Sequence, residues 1–181
     1  ACALALALGF GCASAPKAAG PEGSLAADPV GAAELIEGDL AGEFERRIAR
    51  DGRIWFSGQP SEAGYRSLAA DGVTLVINLR TQEELDQRVP FDERALCGEL
   101  GMRYVHIPIG GEYGPAEVDR FAETLASHDG PALVHCTVSW RVGGMWAAYL
   151  VRHRGFELEE ALERGYAAGY SKHLVDRLLG E

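Results

Sequence analysis

The chain has 181 residues, 47% hydrophobic and 24% charged, which is the composition of an ordinary globular domain with a substantial core. Its formal net charge of -10 argues against nucleic acid or an anionic membrane surface as the partner. An anionic substrate would therefore need a local positive site.

The first 19 residues differ in composition from the rest. Residues 3–10 form an apolar run that is too short to span a bilayer but has the length of a signal-peptide core. Cys12 follows in a loose match to a bacterial lipobox, and residues 13–15 offer an ordinary cleavage signal instead. We therefore interpret residues 1–19 as part of a signal or lipoprotein signal region, with Cys12 as the residue that would be lipidated.

Residues 20–33 are rich in Ala, Gly and Pro and predict a flexible tether before a domain over 34–181. This organisation predicts export to the bacterial periplasm, or an outer-membrane lipoprotein whose membrane contact is the lipid anchor alone. The sequence leaves the oligomeric state open. Cys97 and Cys136 are the only cysteines of the predicted domain, and two cysteines are not a disulfide framework.

Within the domain, apolar residues near helical spacing predict a first helix over 33–49. Ser61 is a candidate N-cap for the next helix. Predicted strands cover 53–57, 73–79, 103–108 and 132–134; predicted helices cover 61–71, 91–101, 116–127, 142–153, 158–168 and 171–179. This alternation predicts an α/β fold with a mainly parallel sheet and helices on both faces.

The strand over 132–134 leads through a short loop into a helix that starts near Arg141. Such a loop directs backbone N–H groups and the helix dipole toward its centre, where they favour an anion. Cys136 begins the loop and Arg141 ends it, so a thiolate at Cys136 would be stabilised there. This arrangement suits nucleophilic attack on phosphorus or sulfur. Arg80 follows the strand over 73–79, so we expect it either to share this crevice or to pair with Glu83 or Glu84.

Several motifs in the same order resemble the beta-lactamase-hydrolase-like branch of the dual-specificity, tyrosine-phosphatase-like superfamily. They are Ser57-Gly-Gln-Pro60, Val76-Ile-Asn-Leu-Arg80, Tyr104-Val-His-Ile-Pro108, and His135-Cys136 with Arg141-Val-Gly143. The resemblance implies a tyrosine-phosphatase-like fold and a phosphorylated or other oxyanion substrate. It implies no cofactor, and no metal-ligand spacing is present in the sequence.

In this family a Cys thiolate attacks phosphorus, an Arg clamps the phosphate, and a carboxylic acid protonates the leaving group. The resemblance makes Cys136 the nucleophile and Arg141 the clamp. Glu112 in the loop Gly110–Gly114 is the first candidate for the acid, and Asp119 is the second. The predicted substrate-binding residues are Arg80, His135, Thr137, Val138, Ser139 and Trp140.

Two departures from the family pattern keep alternatives open. Four residues separate Cys136 from Arg141, a short loop that rhodanese-like sulfurtransferases also use. The loop has Val138-Ser-Trp140 where the branch usually has a Gly, and a positive φ without Gly costs about 1 kcal/mol or more. The predicted function is therefore a cysteine-dependent phosphatase, with a sulfurtransferase or an inactive oxyanion-binding protein as alternatives.

Overall fold

A computed structural model of the chain describes residues 30–169 and 172–180. The predicted signal region with Cys12, and residues 20–29 of the predicted tether, lie outside the described residues. In the part that is described, no helix is both long enough and apolar enough to cross a bilayer.

A six-stranded mixed sheet forms the centre of the described part, with the strand order β1-β2-β3-β6-β4-β5. Its strands are β1 (Glu34–Leu35), β2 (Ile48–Asp51), β3 (Ile54–Ser57), β4 (Leu75–Asn78), β5 (Arg103–His106) and β6 (Ala132–His135). The first three strands pair antiparallel, and β3, β6, β4 and β5 pair parallel. Every residue of β3, β4 and β6 is buried, as expected for strands that are covered on both faces.

Seven helices of the described residues flank the sheet, and they confirm the predicted two-sided α/β fold. They are α1 (Glu62–Ala70), α2 (Gln82–Arg88), α3 (Glu93–Glu99), α4 (Pro115–Ala126), α5 (Trp140–Arg154), α6 (Leu158–Ala168) and α7 (Lys172–Leu179). The predicted N-cap is confirmed, because the Ser61 hydroxyl accepts a hydrogen bond from the Gly64 N–H at 3.0 Å.

Alternation along the strands divides the core into two clusters. Phe56, Ile77 and Val134 face the cluster that contains α4 to α7, while Val76 and Leu133 face the cluster with α1 and α3. Cys136 belongs to the first cluster and Cys97 to the second, so the sheet lies between the two thiols, and both are free.

The predicted helix over 33–49 is wrong. This segment instead contains β1, a short 3-10 helix over Asp39–Glu43, and the start of β2. Gly38 and Arg46 both have positive φ, which a continuous helix does not allow. The apolar residues that suggested a helix are buried because β2 pairs with β3, so tertiary pairing determines the structure of this segment.

Helix α2 was not predicted from the sequence. It begins with a capping box in which the Thr81 hydroxyl accepts from the Glu84 N–H and the Glu84 carboxylate accepts from the Thr81 N–H. The spacing Thr81-x-x-Glu84 is the signal for this helix in the sequence. Helix α2 matters for function because Glu84 reaches the loop that contains Cys136.

Candidate active site

The loop between β6 and α5 lies at the carboxyl edge of the parallel strands. Cys136 directly follows β6, and Arg141 is the second residue of α5. Since β6 lies between β3 and β4, the residues that follow those two strands surround the loop. The sequence-predicted nucleophile and clamp therefore lie at the two ends of one loop.

Gly58 holds the first half of the loop in place. It forms an isolated antiparallel bridge with Val138, and the next N–H, that of Gln59, donates to the Thr137 carbonyl at 2.9 Å. A Cβ atom on Gly58 would lie 1.8 Å from the Glu45 carbonyl oxygen and 2.9 Å from that of Thr137. The motif Ser57-Gly-Gln-Pro60 thus contains a glycine because two backbone segments contact that position.

Cys136 lies at the floor of the loop. Only 1% of its surface is exposed, and its backbone N–H donates to the Ser57 carbonyl at 3.3 Å. Thr137 and Val138, which follow it, are partly exposed. The sulfur is therefore almost entirely shielded from solvent, and it also contacts the core cluster that contains α5.

Ser139 carries the backbone strain that the missing loop glycine predicts. Its φ is +70°, a conformation that costs a non-glycine residue about 1 kcal/mol or more. It packs against Gly169, where an added Cβ would lie 2.5 Å from the Ser139 Cβ. The Ser139 hydroxyl is fully buried and has no hydrogen-bond partner among the described residues.

Arg141 is held by a carboxylate that sequence reasoning did not assign. Its Nη1 and Nη2 atoms donate to Glu84 Oε2 at 2.6 Å and Oε1 at 2.7 Å, and Nη1 also donates to the Leu79 carbonyl at 3.2 Å. The Thr137 hydroxyl donates to Glu84 Oε1 at 2.8 Å. The guanidinium therefore has a fixed position, and the same carboxylate also fixes the loop.

The hydrogen-bond geometry leaves part of the Arg141 guanidinium available. A guanidinium has five N–H groups, and Glu84 and Leu79 take three of them. The Nε–H and the second Nη2–H lie along one side of the guanidinium, and no described residue accepts from them. Two parallel N–H donors on one side are the arrangement that binds a phosphate bidentately.

The Glu84 carboxylate is held in its ionised form. Burial alone would raise its pKa, but hydrogen bonds from Arg141, the Thr81 N–H and Thr137 outweigh burial and hold the pKa well below its ordinary value. The Arg141 pKa is raised by the same pair, although burial opposes this. Both side chains are therefore charged at neutral pH.

The Arg80 side chain does not pair with the carboxylate of Glu83 or of Glu84. It is 2% exposed, and its Nη2 donates to the backbone carbonyl of Glu84 at 3.1 Å, while its Nη1 donates to the side-chain oxygen of Gln59. Its backbone N–H donates to Asn78 Oδ1 at 2.8 Å. Arg80 thus binds the first turn of α2 through the Glu84 carbonyl. Its role in substrate binding stays a prediction.

His135 connects the loop to a buried polar network. It is fully buried, and its Nε2 lies 3.0 Å from the Tyr65 hydroxyl, which lies 3.0 Å from Glu93 Oε1. An ionised carboxylate only accepts, so the Tyr65 hydroxyl donates to Glu93 and its oxygen accepts from His135 Nε2–H. Burial lowers the pKa of His135, which favours the neutral ring with its proton on Nε2.

Glu93 is the centre of that network and was not predicted from the sequence. It is 4% exposed and also accepts from Gln59, from Asn78 Nδ2, and from the Tyr104 hydroxyl at 3.1 Å. Burial would raise its pKa, but the neighbouring His135 and hydrogen bonds from Gln59, Tyr65 and Tyr104 lower it below the ordinary value. The same environment raises the pKa of Tyr65, chiefly through burial and then through Glu93.

Glu112, the predicted acid, lies in a loop that α7 holds in place. Glu112 is exposed. Arg177 donates to the Gly111 carbonyl at 2.9 Å, and its guanidinium lies 4.0 Å from the centre of the Tyr113 ring. The loop therefore holds Glu112 at the solvent surface, and its role as the acid stays a prediction.

Asp119, the second candidate for the acid, is occupied elsewhere. It accepts from Arg152 Nε at 2.6 Å and Nη2 at 2.8 Å, and it lies 2.8 Å from His153 Nε2. Hydrogen bonds from Arg152 lower the pKa of Asp119 to about 2. A carboxylate that an arginine holds ionised is poorly suited to donate a proton.

Trp140 forms an exposed aromatic wall beside the loop. It is 54% exposed, and the Arg46 guanidinium lies 5.6 Å from its ring centre. Arg46 reaches this position from a backbone with φ of +68°. Sequence reasoning missed Arg46 because it placed this residue inside a helix. In the described residues no group of three His, Cys, Asp or Glu side chains converges as a metal site would require.

Comparison with known proteins identifies the domain. The family model PTP-NADK, described as a DSP-PTPase phosphatase fused to NAD+ kinase, matches residues 39–176. The chain belongs to this family. The resemblance to dual-specificity and tyrosine phosphatases that the motifs indicated is thereby confirmed, and the matched range includes every loop residue described above.

Relatives of this phosphatase-like family include proteins named beta-lactamase hydrolase-like. The one from Agrobacterium fabrum is 35% identical over 86 residues, which are 46% of this chain and 20% of that protein. The one from Xylella fastidiosa (strain Temecula1) is 30% identical over 120 residues, 65% of this chain and 28% of that protein. The chain thus spans less than a third of the length of these relatives.

Solved structures share the fold. TpbA of P. aeruginosa has a TM-score of 0.60 and 22% identity, over 80% of this chain and 85% of that one. At this identity the likeness shows the tyrosine-phosphatase-like fold alone.

Proposed function

We propose that this protein is a cysteine-dependent phosphatase that hydrolyses a phosphate monoester at the loop between Cys136 and Arg141. The observation that carries the proposal is the free side of the Arg141 guanidinium. Glu84 and Leu79 fix the other N–H groups, so two parallel donors remain for a phosphate. The buried Ser139 hydroxyl in the same loop has no partner among the described residues, and we assign it to the phosphate as a further donor.

In the proposed reaction, the Cys136 thiolate attacks phosphorus and the bond between phosphorus and the leaving oxygen breaks. Glu112 donates a proton to that oxygen, so the alcohol leaves neutral. Water, deprotonated by the resulting carboxylate, then attacks the thiophosphate, which releases inorganic phosphate and regenerates the thiolate. Arg141 stabilises the charge on the phosphoryl oxygens in both steps, and electrostatic stabilisation of this kind is usually the largest single contribution to catalysis.

An aryl phosphate is the appropriate first substrate. A cysteine-to-serine variant of TpbA binds phosphotyrosine in a solved structure whose fold resembles this chain with a TM-score of 0.57. The exposed Trp140 ring offers a planar surface at the mouth of the loop, on which an aromatic leaving group can stack.

The test compares p-nitrophenyl phosphate hydrolysis by the wild type, by Cys136→Ser and by Cys97→Ser. Cys97 is the matched control because it is also a buried, free cysteine, but on the other face of the sheet. We expect Cys136→Ser to abolish phosphate release with an unchanged melting temperature, and Cys97→Ser to retain it.

Other outcomes would overturn the proposal. Substantial turnover by Cys136→Ser would exclude Cys136 as the nucleophile. Transfer of sulfur from thiosulfate to cyanide by the wild type, without phosphate release, would identify a sulfurtransferase. Phosphate binding without turnover, equal in wild type and Cys136→Ser, would identify an inactive oxyanion-binding protein.

A further inference from the structure

Strand β5 has an open edge. It is the last strand of the sheet order and pairs only with β4 among the described residues. The N–H groups of Arg103 and Ile107 donate toward β4, to the carbonyls of Thr74 and Asn78. Because backbone groups alternate along a strand, the N–H and C=O groups of Tyr104 and His106 face away from the sheet.

Arginines from three elements surround this edge. A concavity of about 800 Å³ is lined by Arg94 of α3, Arg103 of β5 and Arg120 of α4. Arg94 lies 4.9 Å from the Tyr104 ring centre, on one face of the strand. Arg103 donates to the Ser127 hydroxyl at 3.1 Å, on the other face.

Little negative charge balances these arginines. None of the three guanidiniums forms an ion pair with a carboxylate of the described residues, and Glu123 is the one acidic residue that lines the concavity. The chain as a whole carries a formal charge of -10. A cluster of unpaired arginines on such a protein marks a surface that attracts acidic groups.

We propose that the outer edge of β5 is a docking site for an extended acidic segment of a phosphoprotein substrate. The segment would pair its backbone with Tyr104 and His106, as in other cases of strand addition. Its side chains alternate between the two faces, so acidic residues would reach Arg94 on one face and Arg103 and Arg120 on the other. This proposal rests on the proposed phosphatase function and specifies its substrate class.

The carboxyl end of β5 leads toward the candidate active site. His106 Nε2 donates to the Arg80 carbonyl at 2.7 Å, and the neighbouring Leu79 carbonyl accepts from Arg141. Neighbouring strands lie about 4.8 Å apart, so an added strand would lie roughly 14 Å from β6, which leads to Cys136. About four or five extended residues span this distance. The docked segment and the phosphorylated residue can thus belong to one short stretch of chain.

The first experiment measures kcat/KM for two phosphotyrosine peptides. One carries the eight-residue segment Glu-Glu-Val-Val-Glu-Glu-Val-Val, which presents Glu on both faces of an added strand, placed five residues from the phosphotyrosine. The other carries Gln in place of every Glu. We expect the acidic peptide to be preferred about fivefold or more at low salt, since several exposed charge pairs contribute together. Arg94→Glu and Arg120→Glu should each reduce this preference.

Arg66→Glu is the matched control because Arg66 is an exposed arginine on α1 that does not line the concavity. It should leave the preference intact, and all three variants should hydrolyse p-nitrophenyl phosphate at the wild-type rate. Equal kcat/KM for the two peptides in the wild type would overturn the proposal.

The second experiment tests the backbone pairing by fluorescence anisotropy on the Cys136→Ser variant. The acidic peptide is N-methylated at every second residue, in each of the two possible registers. One register should weaken binding about tenfold and the other should not, because only one set of N–H groups faces β5. Equal effects in both registers, or displacement of the peptide by a single-stranded oligonucleotide of equal charge, would overturn the proposal.

These experiments separate the docking site from the proposed function. If neither peptide nor p-nitrophenyl phosphate is hydrolysed, the proposed function fails while the anisotropy measurement still reports docking. If all substrates are hydrolysed without preference, and N-methylation weakens binding equally in both registers, the docking site is contradicted while the proposed function stands.

Discussion

Glu84 and Glu93 support the candidate site from two sides, in opposite surroundings. Glu84 is partly exposed and bonded to a cation, while Glu93 is buried among neutral donors. Glu84 holds the group that would bind phosphate, and Glu93 acts two hydrogen bonds away from the loop through Tyr65 and His135. The comparison indicates that Glu84 should control activity directly, whereas Glu93 should control stability first.

The largest effect should come from Arg141→Lys, which removes the residue that Glu84 holds. A point charge cannot replace a planar fork, so kcat/KM for an aryl phosphate should fall about 100- to 1,000-fold. Arg152→Lys is the control, because Arg152 lies on the same helix as Arg141 and forms a bidentate pair with Asp119 of α4. A wild-type kcat/KM for Arg141→Lys, or an equal decrease in kcat/KM for Arg152→Lys, would contradict the role of Arg141 as the phosphate clamp.

Glu84→Gln should have the next largest effect. Arg141 would lose two charge-assisted hydrogen bonds, and kcat/KM should fall about 10- to 100-fold. The melting temperature at neutral pH should fall only modestly, because the pair is partly exposed to solvent. Asp119→Asn serves as the control and should leave kcat/KM unchanged. A Glu84→Gln enzyme with wild-type kcat/KM would show that the guanidinium needs no support.

The same pair predicts a pH dependence of stability. The folded-state pKa of Glu84 lies below its ordinary value of 4.5, so the unfolded chain binds more protons in acid. The stabilisation from this pair is complete above about pH 4.5 and is lost as the pH falls further toward the folded-state pKa. Urea titrations between pH 3 and 6 should show that acid lowers the free energy of unfolding less in Glu84→Gln than in the wild type. Equal decreases in the two proteins would contradict a stabilising role for the pair.

Glu93→Gln should reduce stability more than activity, the opposite of Glu84→Gln. It removes a buried acceptor and leaves donors unpaired, at a cost of about 1–3 kcal/mol in the free energy of unfolding. The kcat/KM value should fall less than tenfold, and Tyr65→Phe, which breaks the link to His135, should reproduce this smaller loss. A larger loss of activity in Glu93→Gln than in Glu84→Gln would refute the distinction between the two carboxylates.

The smallest effect should come from Ser139→Gly, which changes the loop itself and leaves both carboxylates in place. Relief of the positive φ should stabilise the protein by up to about 1 kcal/mol, measured by urea unfolding. Ser127→Gly, at a residue with φ of -89°, is the control and should not stabilise. Destabilisation by Ser139→Gly would mean that the buried hydroxyl contributes more than the strain costs.

The sequence predicted the parts of the fold that local pattern determines. The apolar strands β4 and β6 and the two ends of the Cys136 loop follow from periodicity and spacing along the chain. Ile48 and Ala49 of β2 were predicted as the end of a helix because they are apolar, but pairing with β3 buries them, which is a non-local effect. Glu93 is far in sequence from His135 and Asn78, and only the folded sheet brings them together.

The chemical state of Cys136 is the most direct test of the account. Cys97 is an internal reference, because burial, followed by the charge of Glu93, raises its pKa to about 12. Iodoacetamide labelling followed by mass spectrometry, from pH 5 to 9, should modify Cys136 much faster than Cys97 at neutral pH, and phosphate or vanadate should slow it. Labelling of Cys136 as slow as that of Cys97, and unaffected by either anion, would contradict a thiolate at the floor of an anion-binding loop.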